Sequence, residues 1–159
     1  MAISGRIYSA VFTNVAITAV QDLFALYAGA SKIVALQSIE LAQITQTTVG
    51  NLRLRVRYLP ATVTAGSGGS APTARPFVPG DAAATATVRV NDTTQATTSG
   101  TAVDLWSDQW NLLNGYLWVP TTVNRPPVSA LSGALIVSLD SAPGSSITCS
   151  GSITFEELP

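Results

Sequence analysis

The sequence has no histidine, one cysteine and one lysine among its 159 residues, and only 11% of its residues are charged. Each shortage excludes something. Without histidine there is no Ser-His-Asp or Cys-His catalysis and no imidazole ligand for a metal. The single cysteine, Cys149, can make neither an intrachain disulfide nor a thiolate metal site. Set in "SITCSGSITF", it reads as a small strand residue rather than a reactive thiol. A net charge of −1 supplies no basic patch for a nucleic-acid backbone. No apolar run reaches the roughly 18 residues of a membrane-spanning helix. The opening "MAISGRIYSA" lacks a basic region followed by an apolar stretch, so no signal peptide is expected. Neither nucleic acid nor membrane is therefore expected as a partner, and no cofactor or metal is expected.

What remains is 47% hydrophobic residues in a background of Ser, Thr, Ala and Gly. The length suits one domain with a real core, here 1–159. A surface so poor in charge is weakly protected against association, which points to a protein partly covered by partners. A Thr/Ser-coated solitary β-protein would have the same composition.

Strand signals recur along the chain. "GRIYSAVFT" (5–13) and "NVAITAV" (14–20) are rich in β-branched and aromatic residues. "QDLFALYAGA" (21–30) reads either as one or two helical turns capped by Asp22 or as a strand edge. "KIVALQSIELAQI" (32–44), "ATATVRV" (84–90), "ALSGALIVSL" (130–139) and "SITCSGSITFEEL" (146–158) read as strands. In "NLRLRVRYL" (51–59), Leu52, Leu54, Val56 and Tyr58 alternate with Arg53, Arg55 and Arg57, the period of a half-buried strand. Asn114-Gly115 is a strong hairpin signal. Eight or nine short strands with Gly/Pro turns, and at most one short helix, predict an all-β fold. The expected form is an antiparallel β-sandwich of the eight-stranded jelly-roll kind.

Chemistry is scarce. The carboxylates Glu40, Asp104, Asp108, Asp140, Glu156 and Glu157 are the acid/base candidates. Glu156 and Glu157, being adjacent, face opposite sides of a strand. Asp104 and Asp108 share a face only if their strand is regular. "GSGGSAP" lacks the Lys-Ser/Thr of a phosphate-binding loop, and "NDT" (91–93) is formally an N-glycosylation acceptor. The Arg53, Arg55, Arg57 row reads as a contact for acidic groups on a partner or as a solvated face. Trp106, Trp110 and Trp118, near Asp and Asn residues, fit sugar stacking, the core or a subunit interface.

The longest stretch without periodicity is 64–82, around "GSGGSAPTARPFVPGD". So long a loop is either functional or disordered. Gly66, Gly68 and Gly69 widen its conformational range while Pro72, Pro76 and Pro79 narrow it. Phe77 is its large apolar anchor, so the loop is expected to reach a neighbouring subunit or the shell beneath it, or else to be a plain surface loop.

"QDLFAL", "GSGGSAPTARPFVPGDAAATAT" and the terminal "GSITFEEL" together resemble a family of small proteins encoded by tailed bacteriophages and prophages. The resemblance implies a virion structural protein, and small jelly rolls serve as cement proteins on phage heads. It supplies no catalytic residues. The resulting expectation is a capsid decoration protein on the head exterior. Its partners would be the major capsid protein and itself, as a trimer at local threefold axes or a dimer at twofold axes. A tail- or fibre-associated module that binds host glycans through the Trp cluster is the alternative. A self-assembling shell protein is a further one.

Overall fold

A computed structural model describes residues 5–45, 48–129 and 133–159. The strands are β1 Arg6–Ile17, β2 Gln21–Tyr27, β3 Ile33–Gln43, β4 Asn51–Leu59, β5 Val63–Thr64, β6 Arg75–Pro76 and β7 Thr87–Asp92. They continue with β8 Thr97–Thr98, β9 Val103–Asn111, β10 Tyr116–Trp118, β11 Pro127–Ser129, β12 Ala134–Leu139 and β13 Ile147–Leu158. The only helical turn among the described residues is a 3₁₀ turn at Thr122–Asn124. The first residues of the run 130–139, expected as strand throughout, lie outside the described residues.

Two antiparallel sheets face each other. One, sheet A, has the order β10-β3-β13-β1-β6, with β11 also on β3; the other, sheet B, has the order β7-β2-β12-β4-β9. The all-β sandwich predicted by the short alternating strands is therefore the fold. Its ladders nest about the middle of the chain. β1 pairs with β13, β2 with β12, β3 with β10 and β4 with β9.

Alternation then decides what is buried. Tyr8, Ala10 and Phe12 of β1 meet Ile153, Phe155 and Cys149 of β13 and Leu36, Ile39 and Leu41 of β3. Opposite them stand Phe24, Leu26, Val56, Leu54, Leu135, Val137, Val88 and Val90 from sheet B. Tyr8 stacks on Phe155 and Phe12 tilts against Phe24, with centroids 5.8 and 5.2 Å apart. Burial pushes the Cys149 thiol up to about 12, in keeping with a packing role. The runs 5–13 and 14–20 join into one strand. A bulge between Phe12 and Val15 keeps both halves in register with β13, with Asn14 at φ 54°.

β2 is a strand and not a helical turn. It lies between β7 and β12, and Gln21–Leu26 are buried on both faces. A strand buried on both faces loses its alternation, which is why "QDLFALY" is ambiguous as sequence. Its outer face is roofed by the chain itself. The β5–β8 ribbon and the segments around it bring Ala96, Val63 and Ala102 onto Ala25, Leu59, Ala134 and Ile136.

Asp22 ties that roof down. Its buried carboxylate accepts the Ala96 N–H at 2.7 Å and the Gln95 amide at 3.2 Å. Its cross-strand neighbour Asp92 is held by Arg89, through Nε at 2.8 Å and the terminal nitrogen at 2.6 Å, and by the Gly69 N–H at 3.1 Å. Burial raises the Asp22 carboxyl from 3.8 to about 6; nearby Asp92 adds to this, while the two hydrogen bonds and Arg57 oppose it.

Two predictions follow from this packing. Phe155→Ala removes a fully buried ring and lowers unfolding free energy by ~3–5 kcal/mol, read as a lower urea midpoint. For Asp22, the folded carboxyl binds its proton more tightly than the unfolded one. Its contribution to stability is thus complete below about pH 4 and is lost as pH rises through 6. The loss amounts to about 3 kcal/mol. Asp22→Asn lacks this dependence, so urea titrations should favour the variant over the parent increasingly from pH 4 to pH 8. A constant difference across that range would contradict the assignment.

Candidate interaction surface

The two outer faces of the sandwich are unlike. Sheet B is covered by the β5–β8 roof and by an ion-paired row. Arg55 contacts Asp104 at 2.8 Å and also Asp140, and Arg57 lies 3.3 Å from Asp104. The arginine row thus faces outward as its alternation predicts, and two of its three members are paired with this chain's own carboxylates. Arg53, exposed, reaches no carboxylate among the described residues.

The acid/base candidates are dispersed. β9 bulges at Leu105, opposite the step from Val56 to Arg57, which turns Asp104 to the outer face with the arginines. Asp108 stays on the side of Trp106 and Trp110, so the two aspartates do not share a face. Glu157 points inward and accepts the Thr85 and Ala86 N–H groups, both at 2.9 Å. Glu156 points outward and takes Gln37 and the Gly5 N–H at 2.9 Å, with Arg125 at 3.4 Å. The glycosylation triplet is also closed off, because Asn91 is buried and accepts from Gln21 at 3.2 Å.

Among the described residues, nothing roofs the middle of sheet A. Val11, Thr13, Glu40, Ala42 and Leu117 are exposed there, with Ser9, Ser150, Ser152 and Thr154 between them. A shallow depression of about 600 Å³ lies over Gly151, between Val11, Thr13, Ala42 and Leu117. A Cβ at Gly151 would come within 2.7–2.9 Å of the buried Leu41 and Phe12 side chains, so glycine leaves room for their packing beneath the depression. The three long strands of sheet A, β1, β3 and β13, have 12, 11 and 12 residues and, spaced at ~4.8 Å, span roughly 500 Å². That is about two thirds of the ~800 Å² per partner of a standard protein interface, and the short β10, β11 and β6 add to its margins.

The lateral sides differ as well. On one, 66–82 closes the gap between β7 and β1. Ser70 and Val90 exchange backbone hydrogen bonds at 3.0 and 2.8 Å, Ser67 and Thr94 exchange two at 3.0 Å, and β6 pairs with Tyr8 and Ser9. Gly66, Gly68 and Gly69 lie against β7 and its continuation. A Cβ on Gly69 would sit 2.0 Å from the Val90 carbonyl oxygen. Close approach is what these glycines provide. Pro72 and Pro76 are half-buried, Ala74 is in the core, and Phe77, Val78 and Pro79 form an exposed apolar run.

On the other lateral side the chain crosses from β9 to β10. Asn114-Gly115 does not join a paired hairpin, because β9 belongs to sheet B and β10 to sheet A. The Asn111 side chain accepts the Leu113 N–H, and the Asn111 carbonyl accepts the Asn114 N–H, both at 3.0 Å, to make the corner. The three tryptophans separate here. Trp110 is 1% exposed and donates its indole N–H to the Asn114 carbonyl at 2.9 Å, so it belongs to the core and has no surface for a partner. Trp118 tilts on Trp106 with centroids 5.7 Å apart, and Trp106 is 44% exposed.

Around this pair lies a groove of about 880 Å³ walled by Leu105, Leu117, Val119, Val123 and prolines, with Asn124 and Arg125 at its rim. Leu105, Leu117, Val119 and Val123 escape a search by motif. Their signal is the apolar run "YLWVP" continuing into an edge, together with the broken alternation of "VDLWSD".

Comparison of the chain with protein-family models, with curated proteins and with solved structures gives no match in any of the three.

Acrylamide quenching checks the partition of the tryptophans. Replacing Trp106 and Trp118 together by Phe should remove most of the quenchable emission, while Trp110→Phe should leave it in place. Equal quenching of all three would contradict the geometry.

Proposed function

We propose that this chain is a non-enzymatic structural protein of a virus particle, a decoration or cement protein on the outside of a phage head. It stabilises the head by bridging shell subunits. The observation that carries this reading is the bare, charge-poor outer face of sheet A beside a roofed sheet B. A large surface with few charges is suited to burial against a fixed partner. The major capsid protein is that partner, and binding to the assembled shell stabilises it by mass action. We read the nested ladders, β1 with β13 through β4 with β9, as the winding of a jelly roll, to which β6 and β7 add edges.

Glycan recognition is favoured less. The half-exposed Trp106–Trp118 pair is its one support, and the surrounding walls are apolar, with Arg125 engaged by Glu156.

Copy number in purified particles tests the reading. Quantitative mass spectrometry should find the chain in a simple ratio to the main shell protein. Val11→Glu, on the bare face, should lower occupancy by ~10-fold or more without lowering the thermal midpoint of the free chain. Absence from particles would overturn the proposal.

A further inference from the structure

We infer that copies of this chain associate head to tail, the Phe77–Val78 turn of one copy seated in the Trp106–Trp118 groove of the next. The inference concerns the lateral edges of the sandwich and does not rest on the virion reading.

The two surfaces stand at opposite ends of the molecule. Sheet A begins at β10, which forms the groove, and ends at β6, which leads into the turn. Phe77 and Val78 are each 60% exposed, yet the turn that carries them is fixed. The Phe77 N–H donates to the Ile7 carbonyl at 3.0 Å, and the Asp81 N–H to the Val78 carbonyl at 3.2 Å. Tyr8 donates to the Ala82 carbonyl at 2.9 Å, and Arg6 lies 3.5 Å from Asp81. Gly80 supplies the φ of 95° that the turn requires. A projection ordered before docking loses little entropy on docking.

The groove offers what such a projection lacks. Val123 is 92% exposed, and Leu117 and Val119 stand beside the half-exposed tryptophans. Aromatic and aliphatic side chains entering an apolar cleft are the usual anchors of an interface.

Charge at the two rims is complementary. Arg75 pairs with Ser9 across the ladder and so points to the outer face of sheet A, two residues before Phe77. It reaches no carboxylate among the described residues. Glu40 lies directly across from Leu117 on that same face, at the groove end, with Ser152 Oγ 3.5 Å away. Seating the turn beside Leu117 carries Arg75 toward the Glu40 of the next copy.

A second copy is the occupant that brings the apolar turn and the cation together. Since the two surfaces differ, the contact is heterologous and propagates until a ring closes. A two-fold contact of groove on groove would leave Phe77 and Arg75 without a role.

The test uses two variants of the purified full chain, Phe77→Asp with an intact groove and Val119→Asp with an intact turn. Light scattering after size exclusion should give a closed multimer for the parent chain and monomers for each variant alone. Mixing the two variants should give a 1:1 complex that grows no further, with a blue shift of tryptophan emission. Arg75→Glu and Glu40→Arg should each weaken the multimer by ~10-fold or more, and the double variant should recover it. A parent chain that is monomeric at every concentration overturns the inference. So does a multimer that survives Phe77→Asp, or variants that do not complement each other. Particle occupancy then still decides the virion reading separately. Circular dichroism of both variants excludes misfolding as the cause of a monomer.

Discussion

The structure depends on the pairing of its first long strand with its last. The β1–β13 ladder joins Arg6 to Glu157 and Ile17 to Ile147, and β3 adds to the other side of β13. These contacts close most of the chain into one loop, and the entropy of that closure is lost before the contacts return anything. Once the outer ladder is set, the inner pairings follow by alternation. Tyr8, Phe12 and Phe155 face inward, their neighbours face outward, and β2 with β12 and β4 with β9 have one way to cover them. Bulges at Asn14 and Leu105 adjust this register locally without breaking it.

The same ladders explain why the two outer faces differ. The inserted segment between β4 and β9 carries the β5–β8 ribbon to the outer side of sheet B, where Asp22 and Asp92 anchor it from below. Among the described residues, sheet A receives no comparable cover. Its outer side chains are mostly Ser, Thr, Ala and a few aliphatics, which cost little to desolvate, with Glu40, Glu156 and Arg75 as charges on the same face. The lateral edges divide in a similar way. One is closed by a fixed loop that ends in a projecting apolar turn. The other is closed by a crossing chain that leaves an apolar groove. In the proposed assembly the bare face meets the shell and the two unlike edges meet neighbouring copies.

Much of this is legible in the sequence. The Arg53–Arg57 alternation placed its strand correctly, and the short runs separated by Gly and Pro specified an all-β sandwich. Other features were not legible, each for a physical reason. β2 lost its alternation because it is buried on both faces. Asp104 and Asp108 parted because a bulge is invisible to a period-2 count. The glycines of 66–69 suggested freedom, whereas Gly69 is there because the Val90 carbonyl leaves no room for a Cβ. The tryptophans formed one group in sequence and two in space, since the chain between Trp110 and Trp118 changes sheets. Nothing local marks a roofed face from a bare one. That distinction arises only when the β5–β8 insertion folds back.

The claim that sheet A's bare face meets the shell is tested most directly by thiol labelling. Cys149 is fully buried, so an introduced cysteine reports alone. Val11→Cys probes the bare face and Thr97→Cys the roof on the opposite side. In the free chain both should react with a maleimide. On assembled particles, Val11→Cys should be protected while Thr97→Cys continues to react. Continued labelling of Val11→Cys on particles, or protection of Thr97→Cys in its place, would contradict the account.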